Sequence, residues 1–157
     1  MTVATGFTLN GRSVTVDVPP TELLCDTLRE RLHLTGTRIG CREGVCGSCN
    51  VLVNDAVIRS CLILAAQADG CDVRTVEGLS ANGKLSALQQ SFIDCGAVQC
   101  GFCTSGLLIT ATALLESEPA PTDEQIVSAV AGNLCRCTGY AKVVASIRAA
   151  AAAGGAA

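Results

Sequence analysis

The sequence predicts an α+β chain whose first part forms sheet and whose second part forms helices. Three observations carry that reading. Apolar and polar residues alternate in short runs as far as Val76. From Leu85 onward the apolar residues recur with a helical period instead. Eight of the eleven cysteines form two sets of four, one on each side of that change.

Residues 7–18 read as a hairpin. Phe7, Leu9, Val14, Val16 and Val18 alternate with polar neighbours, and Asn10-Gly11 tolerates the positive φ of a two-residue turn. Pro19-Pro20 stops the second strand. Thr21 is the expected N-cap of a helix carrying Leu23, Leu24, Leu28 and Leu32, with Gly36 just past its end. Residues 38–50 are a Gly-rich loop holding three cysteines. Residues 51–53 and 57–58 form a second hairpin around Asn54-Asp55, and residues 72–76 a further short strand. Two hairpins, a helix and a cysteine loop make a β-grasp domain over residues 1–76.

Residues 77–84 are polar and Gly-containing and read as a linker. A four-helix domain is expected over residues 85–150. Leu85, Leu88 and Phe92 mark its first helix. Residues 104–115 are apolar almost all round, so that helix belongs at the centre. Pro119 and Pro121 break the chain. Thr122-Asp123-Glu124-Gln125 is a capping box for a third helix with Ile126, Val127 and Val130, ended by Gly132. Tyr140, Val143, Val144 and Ile147 mark a fourth. From Ala149 the chain is Ala and Gly only. Its start extends the helix, and residues 151–157 are expected as a disordered tail.

Composition narrows the function classes. Apolar residues make up 49% of the chain but aromatics only 3%, so the core is built from Val, Leu, Ala and Cys. Thin cores of this kind commonly rely on bound metal. A net charge of −3 and the lack of a Lys/Arg cluster exclude a nucleic-acid partner. No signal-peptide pattern opens the chain, and no apolar run approaches ~18 residues. A cytoplasmic location without direct membrane insertion is therefore expected. Without a secretory signal, the cysteines point to metal ligation ahead of disulfides. No Ser-His-Asp set, phosphate loop or dinucleotide fingerprint is present, so no catalytic residue is assigned.

The first cysteine set is Cys41-x4-Cys46-x2-Cys49, with Cys61 after eleven further residues. Plant-type ferredoxins hold a [2Fe–2S] cluster with this loop spacing, which makes the first domain ferredoxin-like. Gly40, Gly44 and Gly47 let the loop curl and aim N–H groups at sulfur. A structural zinc site is the competing reading. Zinc sites, however, pair two short knuckles, whereas one loop here gives three ligands. The second set is Cys100-x2-Cys103 and, after thirty-one residues, Cys135-x-Cys137. Both pairs are expected at helix N-termini, where free N–H groups and the dipole favour thiolates. The sulfurs of Cys135 and Cys137 are expected on one side of an extended backbone. Alone, this set also fits zinc. Beside the first, a second [2Fe–2S] cluster is the stronger reading, and two clusters in one chain make a wire. Cys25, Cys71 and Cys95 are expected as small buried apolar residues. His33, the single histidine, is expected at the surface near a helix end, and a Rieske centre would need two.

The motifs around these cysteines carry a family resemblance. Residues 40–49, Gly-Cys-Arg-Glu-Gly-Val-Cys-Gly-Ser-Cys, resemble the first cluster loop of the small iron–sulfur subunit of molybdenum hydroxylases, the xanthine oxidase family. Residues 98–104, Val-Gln-Cys-Gly-Phe-Cys-Thr, and 132–140, Gly-Asn-Leu-Cys-Arg-Cys-Thr-Gly-Tyr, resemble its second-cluster motifs. The likeness covers residues 5–148. Two departures stand out: Ser105 where proline is common, and Asn50 where threonine is common.

The resemblance implies an electron-transfer subunit of a heterotrimeric enzyme that assembles as a dimer of heterotrimers. A large subunit holds molybdopterin, often in the cytosine dinucleotide form, and a medium subunit holds FAD. Substrate is hydroxylated at molybdenum with water-derived oxygen, and electrons pass through both clusters to FAD. By the same resemblance, Cys100, Cys103, Cys135 and Cys137 hold the cluster nearer molybdenum. Cys41, Cys46, Cys49 and Cys61 hold the one nearer FAD. Gln99 and Cys137 match positions that approach the pterin, although a helix-end hydrogen bond within the chain is the plainer role for Gln99. An obligate interface is expected around residues 99–103 and 135–137. The substrate pocket lies in another chain, and the family's substrates include N-heteroaromatics, aldehydes, purines, carbon monoxide and aromatic thioesters. Two other functions compete: a free-standing two-cluster ferredoxin and a zinc-binding interaction module.

Overall fold

The computed structural model describes residues 1–80 and 82–154. Strand β1 (Val3–Leu9) turns through Asn10-Gly11 into β2 (Arg12–Val18), with Leu9 opposite Arg12. Asn10 and Gly11 have φ of 50° and 77°, the left-handed pair that a two-residue hairpin requires. Strands β3 (Asn50–Val53) and β4 (Ala56–Arg59) repeat the device with Asn54 and Asp55 at φ 49° and 65°. Strand β5 (Asp72–Arg74) lies between the hairpins, parallel to β1 and antiparallel to β3. The sheet order is β2-β1-β5-β3-β4. One face of this β-grasp sheet packs on a short helix. Phe7, Leu9, Leu24, Leu28, Val51, Ala68 and Val73 form the core between them.

That helix departs from the expected form. α1 (Leu24–Asp26) is one short turn and continues as a π-helical turn over Thr27–Arg31. Leu23, not Thr21, occupies the N-cap and supplies no side-chain bond. The polar anchor is Glu22: it accepts from Thr27 Oγ1 at 2.7 Å and from Arg31 Nε at 2.6 Å. The helix ends at Arg31 with Leu32 as C-cap, and His33, exposed and left-handed at φ 57°, turns the chain three residues before the expected stop at Gly36. The stretch read as linker begins as a 3-10 turn over Val76–Leu79.

Four helices follow: α2 (Ala87–Asp94), α3 (Thr104–Ser117), α4 (Asp123–Val130) and α5 (Ala141–Ala152). Ser86 caps α2 and Thr122 caps α4, each in a box with the glutamine three residues on. Leu85 lies outside α2 and is exposed, because Ser86 takes the cap. α3 is buried from Ser105 to Thr112, as its all-round apolar pattern requires. Its Leu107, Ala111 and Leu115 share a core with Leu88, Phe92, Ile126, Val143 and Ile147 of the other helices. α5 runs to Ala152, into the stretch read as tail, because Ala150 is buried with that core. Residues 155–157 of that tail lie outside the described residues.

α3 also packs against the sheet, so the two cores share a wall. Gly106 sits so close to the Gly47 carbonyl that a side chain there would collide with it. Arg74 of β5 bridges to Glu116 of α3 at 2.7 Å through two bonds.

Candidate metal centres

Three of the first four cysteines stand on the loop between α1 and β3, and Cys61 follows β4 directly. The loop curls through left-handed residues, Arg42 at φ 59°, Gly44 at 73° and Gly47 at 74°. This curl aims the N–H groups of Glu43 and Cys46 at Cys41 Sγ, each at 3.4 Å. Those donors pull the Cys41 thiol down to about 6. Gly40 contributes differently: a Cβ there would lie 3.0 Å from Cys46 Sγ, in the space the sulfurs face. Cys49 and Cys61 are almost fully buried beside Cys25, and burial pushes the Cys61 thiol up to about 11. Arg42 pairs through both nitrogens with Asp26 at 2.8 and 2.9 Å, which fixes the loop on α1.

The second set combines the entry to α3 with the loop before α5. Cys103 is the N-cap of α3, so the first pair is at a helix N-terminus as expected. Cys135 and Cys137 are not. Tyr140, left-handed at φ 65°, caps α5, and Thr138 and Gly139 lie between. Their backbone is a bend rather than an extended run. Local donors replace the helix end: Thr138 Oγ1 at 3.1 Å and Thr138 N at 3.4 Å both bond Cys135 Sγ. Burial raises the Cys135 thiol, but these bonds outweigh it and leave it at about 7. Burial pushes Cys103 up to about 12. Cys137 Sγ lies 3.6 Å from Cys100 Sγ, and that hydrogen bond raises its thiol. Tyr140 Oη accepts from Cys135 N at 2.7 Å and donates to Asn133 O at 2.8 Å, so one ring holds the whole turn.

The sulfurs stand in pairs: Cys41 beside Cys46, Cys49 beside Cys61, Cys100 beside Cys137 and Cys103 beside Cys135. Among the described residues no three His, Cys, Asp or Glu side chains converge on one point, as ligands of a single ion do. Four thiols in two neighbouring pairs at each site are a donor set that would hold a [2Fe–2S] cluster. The raised thiols of Cys61 and Cys103 ionise readily only beside added positive charge, which a metal supplies. The residues therefore fit a [2Fe–2S] cluster at each site.

The remaining cysteines divide. Cys25 is fully buried beside the first set, with burial raising its thiol to about 12. Cys71 and Cys95 are only half-buried, a departure from the expected core role. Both sit at the edges of short elements, where small residues are tolerated without full packing. Gln99 is exposed next to Cys100.

Known proteins give this arrangement its class. A model described as a 2Fe-2S iron-sulfur cluster binding domain matches residues 7–80, and one described as a [2Fe-2S] binding domain matches residues 75–148. The chain is thus an electron-transfer protein with two [2Fe–2S] cluster domains. It is 53% identical to the nicotine 6-hydroxylase small subunit of Paenarthrobacter nicotinovorans, over 88% of this chain and 84% of that one. It is 47% identical to the nicotinate dehydrogenase small FeS subunit of Eubacterium barkeri, over 93% of each. The structure superposes on quinoline 2-oxidoreductase from Pseudomonas putida 86 with a TM-score of 0.94 and 49% identity, over 97% of this chain and 95% of the other. The chain belongs to the small iron–sulfur subunits of the molybdenum hydroxylases. The first two of these relatives are named as small subunits. No helix among the described residues is long and apolar enough to cross a membrane.

Proposed function

We propose that this chain relays electrons from a molybdenum–pterin subunit to an FAD subunit during hydroxylation with water-derived oxygen. One observation carries the proposal: the two cysteine sites are joined back to back by a direct hydrogen bond, Leu134 N to Cys46 O at 2.8 Å. A [2Fe–2S] cluster supplies reversible one-electron storage on iron held by thiolates. Cys41, Cys46, Cys49 and Cys61 would hold one such cluster, and Cys100, Cys103, Cys135 and Cys137 the other. The chain's own part is to hold these sulfurs, donate N–H groups to them and keep water from the buried members.

Exposure supports an interface at the second site. Cys100 and Cys137 are exposed, and Val98, Phe102 and Leu134, close to them in sequence, are 42–53% exposed. Apolar side chains around an exposed polar pair are the mark of a surface covered in an assembly. The large subunit docks there, with Gln99 and Cys137 nearest a molybdopterin of the cytosine dinucleotide form. Val45 and Leu62, 58% and 59% exposed, flank the first site and face the FAD subunit. The complex is a cytoplasmic dimer of heterotrimers. Its substrate is an N-heteroaromatic compound, by likeness to the nicotine, nicotinate and quinoline enzymes. Purification through a tag on this chain is expected to bring down one molybdenum-containing and one flavin-containing chain. Recovery of a stable, fully loaded monomer instead would contradict the proposal.

A further inference from the structure

Beside the Leu134–Cys46 bond runs a second connection between the two cysteine loops, made of side chains. Arg59, half-buried at the end of β4, spreads its guanidinium over three acceptors. Nε donates to Gly44 O at 3.1 Å, Nη1 to Asn50 Oδ1 at 2.6 Å and Nη2 to Gly132 O at 2.8 Å. Gly44 lies on the first cysteine loop, and Gly132 lies three residues before Cys135. Asn50 then donates to Thr110 Oγ1 at 2.9 Å, and Thr110 Oγ1 donates to Asn133 Oδ1 at 2.9 Å. Asn133 Nδ2 closes the circuit on Gly47 O at 3.1 Å. Asn50, Thr110 and Asn133 are buried, at 2%, 8% and 1% exposure.

Each of the four side chains makes at least two hydrogen bonds in this ring, and such a buried polar network favours one arrangement. Its members come from β3, the residue ending β4, α3 and the loop before Cys135. It therefore locks the sheet, the central helix and both cysteine loops together. Asn50 is also a position where this chain departs from the common threonine. Its amide both accepts from Arg59 and donates to Thr110, a span that one hydroxyl is too short to make in the same place.

We propose that Arg59, Asn50, Thr110 and Asn133 form a clasp that fixes the separation of the two cluster sites at the Cys46–Leu134 contact and so sets their electronic coupling. These are positioning residues; none is a cluster ligand. The proposal rests on the two-cluster reading above. A guanidinium with three separate acceptors is not replaceable by an ammonium, which cannot reach all three in one plane.

The test uses the full chain in its native complex, reduced with dithionite and measured by EPR. Wild type is expected to show two distinct reduced-cluster signals with a mutual magnetic splitting. Arg59→Met and the milder Thr110→Val are expected to keep both signals while the splitting changes and cluster-to-cluster transfer, followed by rapid freezing, slows several-fold. Arg59→Lys is expected not to rescue. If both variants lose only thermal stability, with splitting and transfer rate unchanged, the clasp is merely structural and the proposal falls. A wild type with two signals but no splitting overturns the close coupling. A wild type without two signals overturns the two-cluster reading itself.

Discussion

Tyr140 shows how much one side chain does at the second site. Its helical spacing was readable, and it does open α5. Its left-handed φ and the double role of its hydroxyl were not, because neither follows from periodicity. Replacing it with Phe keeps the ring and strands two polar groups of the turn, Cys135 N–H and Asn133 O. Tyr140→Phe is expected to lower stability by about 1–3 kcal/mol, read from a urea midpoint at constant slope. An unchanged midpoint would contradict the role given to that hydroxyl. The cysteine groups within each loop, 41/46/49, 100/103 and 135/137, were visible from spacing because their members are close in sequence. Arg59, Thr110 and Asn133 were not, because their bonds span up to 86 residues and isolated polar residues carry no period.

Elements with strong local codes formed as the sequence predicts. Both hairpins follow their Asn-Gly and Asn-Asp turns, α4 follows its capping box, and α3 is buried as its apolar run requires. The first helix did not follow its leucine spacing, because Glu22 pins Thr27 and Arg31 and the chain widens into a π-turn between them. Between elements, the Arg74–Glu116 pair joins β5 to α3. Arg74 hydrogen bonds hold the Glu116 carboxyl below its ordinary range. A carboxyl lowered by folding adds stability above its ordinary range, and that stability is lost as pH falls through the lowered value. Glu116 is 39% exposed, so screening limits the pair to about 0.2–1 kcal/mol. Glu116→Gln is expected to melt slightly below wild type at neutral pH and level with it in acid below the carboxylate range. A deficit that persists in acid would mean the loss is packing rather than charge.

At the scale of the whole molecule, two small cores share α3, and two metal-binding loops meet across their junction. The change of period after Val76 separated sheet from helices in the sequence, and one cysteine set falls on each side of it. What the sequence withheld was how closely the parts join: Gly106 against the Gly47 carbonyl, Leu134 N on Cys46 O, and the polar ring beside them. These contacts join the two cluster domains directly. The most direct test is iron, zinc and acid-labile sulfide on the anaerobically purified chain in its complex, with EPR after reduction. About four irons, about four sulfides and two distinct reduced signals per chain are predicted. Zinc in place of iron, or two irons with one signal, would contradict the account.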